Sequence, residues 1–194
     1  MYVHYPTGFQ PQSPRWRNYR CWCNRDLPAS TRRWLLDSGS LTTRLVKASS
    51  NNFRVQRISQ YWGSARRDEY RLLNVQPQQR CLIREVLLLC HGEPWVYARS
   101  VLPVTSLVGS LRHLRKFGNQ PLGQLLFNTP GMQRQPFELA RFGPPNLPDA
   151  AQLPGGYALW PDAEVEPLWG RRSRFEIHGR PVMVSEIFLP AFRP

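Results

Sequence analysis

Arg80-Cys81-Leu82-Ile83-Arg84-Glu85-Val86-Leu87-Leu88-Leu89-Cys90 is followed by His91-Gly92-Glu93-Pro94 and then by a second largely apolar run, Trp95 to Leu102. Two such runs joined by a Gly- and Pro-containing turn predict a long hairpin, because only antiparallel strands can be joined so tightly. The same arrangement closes the chain, where Trp169 to Ile177 and Pro181 to Leu189 flank His178-Gly179. Asn52 to Trp62 alternates only in part through Phe53, Val55, Ile58 and Tyr61, which predicts a strand with a bulge or a change of face. Met132 to Phe142 reads as one more strand. Between these runs, Ser30 caps a short helix through Trp34, Leu35 and Leu36 that Ser38-Gly39 ends, and Ser40 caps a second helix, Leu41 to Ala48. Leu107, Leu111 and Leu114 have helical spacing, Gly118 stops them, and Pro121 opens another short helix containing Leu122, Leu125, Leu126 and Phe127. The reading is six strands and about four helices bunched between strands: an α+β single domain with an antiparallel sheet.

The length of 194 residues, with 41% apolar residues, suits one core. Residues 1–27 are rich in Pro, Arg, Trp and Tyr without a period and read as an irregular extension packed by its aromatics onto a domain spanning 28–194. Gly143 to Pro167 is a Pro- and Gly-rich insertion or lid. A formal net charge of +13 selects anionic ligands over neutral or cationic ones. All the basic residues but Lys47 and Lys116 are Arg, so the excess serves steering of an anion, or compositional bias and solubility, or both. The longest apolar run, Val86 to Cys90, is far short of the roughly 20 residues of a membrane-crossing helix, so no membrane insertion is expected. Met1 to Gln10 lacks the pattern of a secretory signal, which implies a cytoplasmic protein. Cys21, Cys23, Cys81 and Cys90 read as free thiols, and His4, His91, His113 and His178 are scattered singly, so no metal site is expected. Nucleophile elbows, phosphate loops and dinucleotide fingerprints are missing.

Two charges stand out. Arg84 shares its strand face with Leu82, Val86 and Leu88, and Glu186 shares its face with Val182, Val184 and Phe188. A charge on a buried face needs a partner. Either the two pair with each other or with neighbours such as Glu85 and Arg99, or they hold a small polar ligand between them, Arg84 on its carboxylate and Glu186 accepting from its hydroxyl. The run Gly170-Arg171-Arg172-Ser173-Arg174 suggests phosphate contacts, but alternation divides it between two faces, and it reads in part as a solvated strand face with no nucleic acid bound.

Trp34-Leu35-Leu36, Ser40-Leu41-Thr42, Arg84-Glu85-Val86-Leu87-Leu88, Gly92-Glu93-Pro94-Trp95, Pro121-Leu122-Gly123, Leu126-Phe127, Leu168-Trp169-Gly170-Arg171-Arg172-Ser173-Arg174 and Ser185-Glu186-Ile187-Phe188-Leu189-Pro190 occur in that order. Together they resemble the chorismate pyruvate-lyase family over most of residues 28–190. The resemblance implies cleavage of chorismate to 4-hydroxybenzoate and pyruvate, the entry step of bacterial ubiquinone synthesis, without metal or organic cofactor; a monomer is expected, although the sequence leaves the oligomeric state open. It also implies a six-stranded antiparallel sheet with helical flaps closing over a buried ligand, and marked product inhibition. By resemblance Arg84 holds the ring carboxylate, Glu186 meets the ring hydroxyl, Leu122 presents its backbone to the carboxylate, and Leu41 contacts the ligand through its backbone. Glu186 is either a base or a hydrogen-bond acceptor in that scheme. The fold is also similar to ligand-sensing domains of bacterial regulators, so a non-catalytic aromatic-acid sensor is the alternative; residues 1–27 are too short and too Pro-rich for a DNA reader.

Overall fold

The computed structural model describes residues 14–116, 118–143 and 167–194. Most of the Pro- and Gly-rich segment read as an insertion or lid, and the first half of the N-terminal extension, lie outside the described residues.

One antiparallel sheet organises the chain. Its strands are β1 (Arg17–Asn18), β2 (Phe53–Ser64), β3 (Arg80–Cys90), β4 (Glu93–Pro103), β5 (Met132–Arg134), β6 (Glu138–Phe142), β7 (Leu168–Ile177) and β8 (Arg180–Phe188). The order across the sheet is β1-β6-β7-β8-β4-β3-β2, with β5 also paired to β7. Both hairpins form where the sequence places them. His91 and Gly92 (φ 53° and 82°) and His178 and Gly179 (φ 49° and 73°) adopt the left-handed backbone that a two-residue turn between twisted strands requires. The bulge in β2 falls at Ile58, where the register with β3 shifts between Arg57 and Ser59.

The helices are α1 (Arg32–Leu35), α2 (Leu41–Ala48), α3 (Arg67–Leu73) and α4 (Leu122–Phe127). Ser40 caps α2, its Oγ accepting from the Thr43 N–H at 3.4 Å. At α1 the N-cap is Thr31, not Ser30, and no side chain bonds there.

Four expectations need correction. The sheet has eight strands, not six, because a short β1 joins it and the run 132–142 is two strands. Pro136 supplies no N–H for the ladder, and the chain leaves β7 between Arg134 and Glu138 before pairing again. Gly109–Lys116 is a 3₁₀ segment and not an α-helix. Helix α3 forms where the sequence pattern predicts no element; its start is fixed by Glu69, whose Oε2 accepts from the Arg66 N–H at 2.8 Å.

Alternation along the strands makes two faces. The front face, carrying Leu82, Arg84, Val86 and Leu88 of β3, is covered by α1, α2, Gly109–Lys116 and α4. The back face, carrying Ile83, Glu85, Leu87 and Leu89, is covered by α3 and by Trp16 and Phe142. Sheet strands with both faces buried explain why β3 reads as a nearly continuous apolar run.

Candidate functional site

The front-face core is split in two. One cluster, around Leu35, Leu45, Val86, Trp95 and Phe188, packs under α1 and α2. The other, around Leu82, Leu107, Leu111, Leu126 and Val182, packs under Gly109–Lys116 and α4. Between them lies a belt of polar and small residues set by register. Arg84 on β3 is opposite Ser100 on β4, Ser100 is opposite Val184 on β8, and Val184 is opposite Ser173 on β7. In the adjoining row Val86, Ala98, Glu186 and Arg171 lie side by side. Arg84 and Glu186 are therefore two strands and two residues apart, about 12 Å between backbones. Ala98 and Ser100 of β4 form the floor between them, both buried, and Ser173 of β7 lies beyond Glu186.

Arg84 and Glu186 do not pair with each other. Arg84 is 3% exposed, and its Nη2 donates to the carbonyls of Gly118 at 2.8 Å and Gln120 at 2.9 Å. These carbonyls belong to the turn that leads into α4, so the guanidinium is moored beside that helix's first residue, Leu122. Burial, and secondly the charge of Arg57, push the Arg84 pKa down to about 10, so an anion at this position is electrostatically welcome. Glu85 and Arg99, the other partners considered for the buried charges, pair instead with one another on the back face at 2.9 Å.

Glu186 is held by Arg171, whose Nε donates to Oε2 at 2.7 Å. Arg171 is 1% exposed and also donates through Nη1 to the carbonyls of Trp34 at 2.9 Å and Asp37 at 2.6 Å. It thus ties Glu186 to the α1–α2 connection. The expectation that the run 170–174 is partly a solvated face is wrong: Arg171 and Arg172 are both buried, because β7 is covered on both sides. Arg172 faces back, toward Asp68 and Glu138. Gly170 in the same run is required by close approach, since a Cβ there would lie 2.7 Å from Phe142 Cε2 and 3.0 Å from the Glu186 carbonyl.

Leu41 and Leu122 are the first residues of α2 and α4, and both side chains are buried. First-turn N–H groups have no acceptor within their helix. The two first turns meet: a Cβ on Gly123 would be 3.8 Å from Thr42 Oγ1. All four residues singled out in the sequence therefore lie on the front face, Arg84 and Glu186 from the sheet and Leu41 and Leu122 from the helices above it.

Sequence reasoning missed Arg134 as well as Arg171. Arg134 ends the three-residue β5 opposite Phe175 and donates to Ser173 Oγ at 2.9 Å, at the far end of the Arg84 row. The signal for Arg171 was its place directly opposite Glu186 in the final hairpin; for Arg134 no comparable local signal exists.

A family model described as chorismate lyase matches residues 23–193. The chain belongs to the chorismate lyase family. It is 44% identical over 162 residues to a probable chorismate pyruvate-lyase of Azoarcus sp. (strain BH72), covering 82% of this chain and 84% of the relative. Identity to a probable chorismate pyruvate-lyase of Pseudomonas aeruginosa (strain UCBPP-PA14) is 40% over 158 residues, 81% of this chain and 82% of that one. Among solved structures, a GntR-family transcriptional regulator from Bacillus cereus superposes with a TM-score of 0.54 at 12% identity, covering 74% of this chain and 95% of that chain. That likeness concerns the fold alone. The split front-face core is thus found in a chorismate lyase chain, and the motif 168–174 supplies Arg171, the residue that fixes Glu186.

Proposed function

We propose that the protein converts chorismate to 4-hydroxybenzoate and pyruvate on the front face of the sheet, with Arg84 and Glu186 as its principal ligands. The observation that carries this reading is the polar belt in which an inward arginine and an inward glutamate face a common floor of Ala98 and Ser100 without touching each other. A para-substituted ring laid across that floor presents its carboxylate to Arg84 and to the first-turn N–H groups of Leu122 and Leu41. Its 4-hydroxyl then reaches Glu186, whose Oε1 has no hydrogen-bond partner among the described residues.

The chemistry asks little of the protein beyond placement. The C3–O bond of chorismate breaks with its electron pair becoming the ketone of pyruvate, the C4 hydrogen moves to the enolpyruvyl methylene, and the electron pair of the former C4–H bond forms the C3–C4 double bond that completes the aromatic ring. No electron leaves or enters, so the step calls for no redox cofactor. Among the described residues no three His, Cys, Asp or Glu side chains converge as metal ligands. Fixing the enolpyruvyl group over C4 is worth several kcal/mol, since a correctly oriented intramolecular step can gain up to about 7–11 kcal/mol. Glu186, already bonded to Arg171, acts in this reading as the acceptor that orients the 4-hydroxyl.

The elements above the belt act as flaps: α1 with α2 on one side, Gly109–Lys116 with α4 on the other. Ligand entry and exit require them to part, so product release limits turnover and 4-hydroxybenzoate inhibits. The test is direct. Purified protein incubated with chorismate and no added metal yields pyruvate and 4-hydroxybenzoate in equal amounts. Binding of 4-hydroxybenzoate without turnover of chorismate would instead make the chain a sensor.

A further inference from the structure

Three of the arginines buried in this sheet are paired with carboxylates. Arg171 has Glu186, Arg172 has Asp68 and Glu138, and Arg99 has Glu69 and Glu85. Arg134, half-buried on β5, is held differently. Its Nε donates to Ser173 Oγ at 2.9 Å and its Nη1 to the Ser38 carbonyl at 2.7 Å, and among the described residues no carboxylate lies within ion-pair distance of it. Its Nη2 has no hydrogen-bond partner among them. The guanidinium sits among the rings of Phe127, Phe137 and Phe175, 5.6, 5.3 and 5.6 Å from their centroids. Such a box holds the cation in one place at little entropic cost. Burial, then the charge of Arg171, push the Arg134 pKa down to about 10, while Glu186 and Asp37 draw it partly back. A cation so placed has everything except its anion.

Its position says which anion. Arg134 bonds to Ser173 at one end of the row Ser173, Val184, Ser100, Arg84, and Glu186 stands in the next row between the two cations. A ligand anchored through a ring carboxylate on Arg84, with its 4-hydroxyl on Glu186, points the substituent at C3 past Glu186 toward the Arg134 side of the belt. In the substrate class proposed above that substituent is an enol ether carrying a second carboxylate. We propose that Arg134 binds this second carboxylate, so that two arginines at opposite ends of the belt grip a dianion across Glu186. The inference rests on the lyase reading. It makes Arg134 a determinant of substrate over product, because after cleavage the second carboxylate belongs to pyruvate and the ring product has none left for Arg134.

The experiment compares wild type, Arg134→Gln and Arg134→Lys in chorismate turnover and in 4-hydroxybenzoate binding. Removing a charge-assisted contact to a carboxylate predicts that Arg134→Gln lowers kcat/KM about 30-fold, mainly through KM. The Kd for 4-hydroxybenzoate stays within about twofold, and Arg134→Lys recovers part of the loss because it keeps the charge without the planar fork. An unchanged kcat/KM in Arg134→Gln overturns the proposal. So does a parallel loss of 4-hydroxybenzoate affinity, which marks Arg134 as merely structural. Should Arg134→Gln fail to fold, wild-type affinities decide: 3-(1-carboxyvinyloxy)benzoate must bind more tightly than 3-methoxybenzoate, and equal affinities overturn the assignment. A wild type that turns over no chorismate refutes the lyase reading itself, a result distinct from all of these.

Discussion

The two faces of one sheet use the same residue types to opposite ends. On the back face every buried charge is answered from the protein. Arg99 donates to both oxygens of Glu69 at 2.7 and 3.1 Å and to Glu85 at 2.9 Å, and Glu85 also accepts from Tyr97 at 2.7 Å and Ser59 at 2.7 Å. On the front face three arginines, Arg84, Arg134 and Arg171, surround one inward glutamate. Matched buried charges make a network that locks strands to a helix; a cationic surplus makes a site for an anion. The contrast divides the sheet's arginines by the partners they meet, where composition, with nearly all basic residues Arg, does not.

The largest effect is expected on the back face and in stability. Glu69→Ala leaves Arg99 with half its partners and opens a hole beneath α3. Breaking a buried pair from one side costs about 3–5 kcal/mol, which denaturant unfolding will read as a lower midpoint. Burial by itself would raise the pKa values of Glu69 and Glu85, but Arg99 and the hydrogen bonds outweigh it and hold both below the ordinary value. Carboxylates depressed in the folded state contribute stability that is complete above their unfolded values and lost as pH falls through the folded ones. Wild type therefore loses stability steeply on acidification below about pH 4.5, the ordinary glutamate value, and Glu69→Ala shows a shallower slope there. An unchanged slope would mean the network is not what acid dismantles.

Next in size is Arg84→Ala, which acts on binding. Loss of a charged hydrogen-bond partner to the ligand carboxylate costs about 2–3 kcal/mol, roughly 30- to 150-fold in the Kd of 4-hydroxybenzoate. Wild-type affinity in the variant would move the carboxylate elsewhere. Paired with Glu69→Ala, the variant sharpens the contrast between faces, since the front-face change should weaken the ligand far more than the fold.

What could be read before the structure divides along the same line of local against distant causes. Helix α2, the β3–β4 and β7–β8 hairpins and the bulge in β2 are set by neighbours in sequence, and each was legible from periodicity and turn residues. Alternation likewise placed Arg84 and Glu186 on buried faces. It could not tell whether a face of β7 is covered, because the residues that cover Arg171 and Arg172 come from α1, α3 and β6, far away in the chain. Helix α3 carries more charged residues than apolar ones, and its inward charge Glu69 becomes explicable only once Arg99 arrives from β4. Arg134 rides on a strand of three residues, too short to show a period.

The smallest expected effect is also the one that bears on mechanism. Glu186→Gln keeps an acceptor oxygen for the 4-hydroxyl but gives up the charged contact with Arg171, which retains the carbonyls of Trp34 and Asp37. If Glu186 only orients the hydroxyl, turnover falls about tenfold, the loss of roughly one hydrogen bond's worth of transition-state energy. If it removes the C4 proton, turnover falls by several orders of magnitude, because an amide is no base. Chorismate deuterated at C4 separates the two routes independently. Intramolecular transfer delivers the deuterium to the methyl group of pyruvate, whereas a proton taken by a carboxylate exchanges with water before the enol is protonated. Deuterium retained in pyruvate, together with a tenfold loss in Glu186→Gln, would identify the front face as a surface that holds two carboxylates and a hydroxyl in place while the substrate rearranges itself.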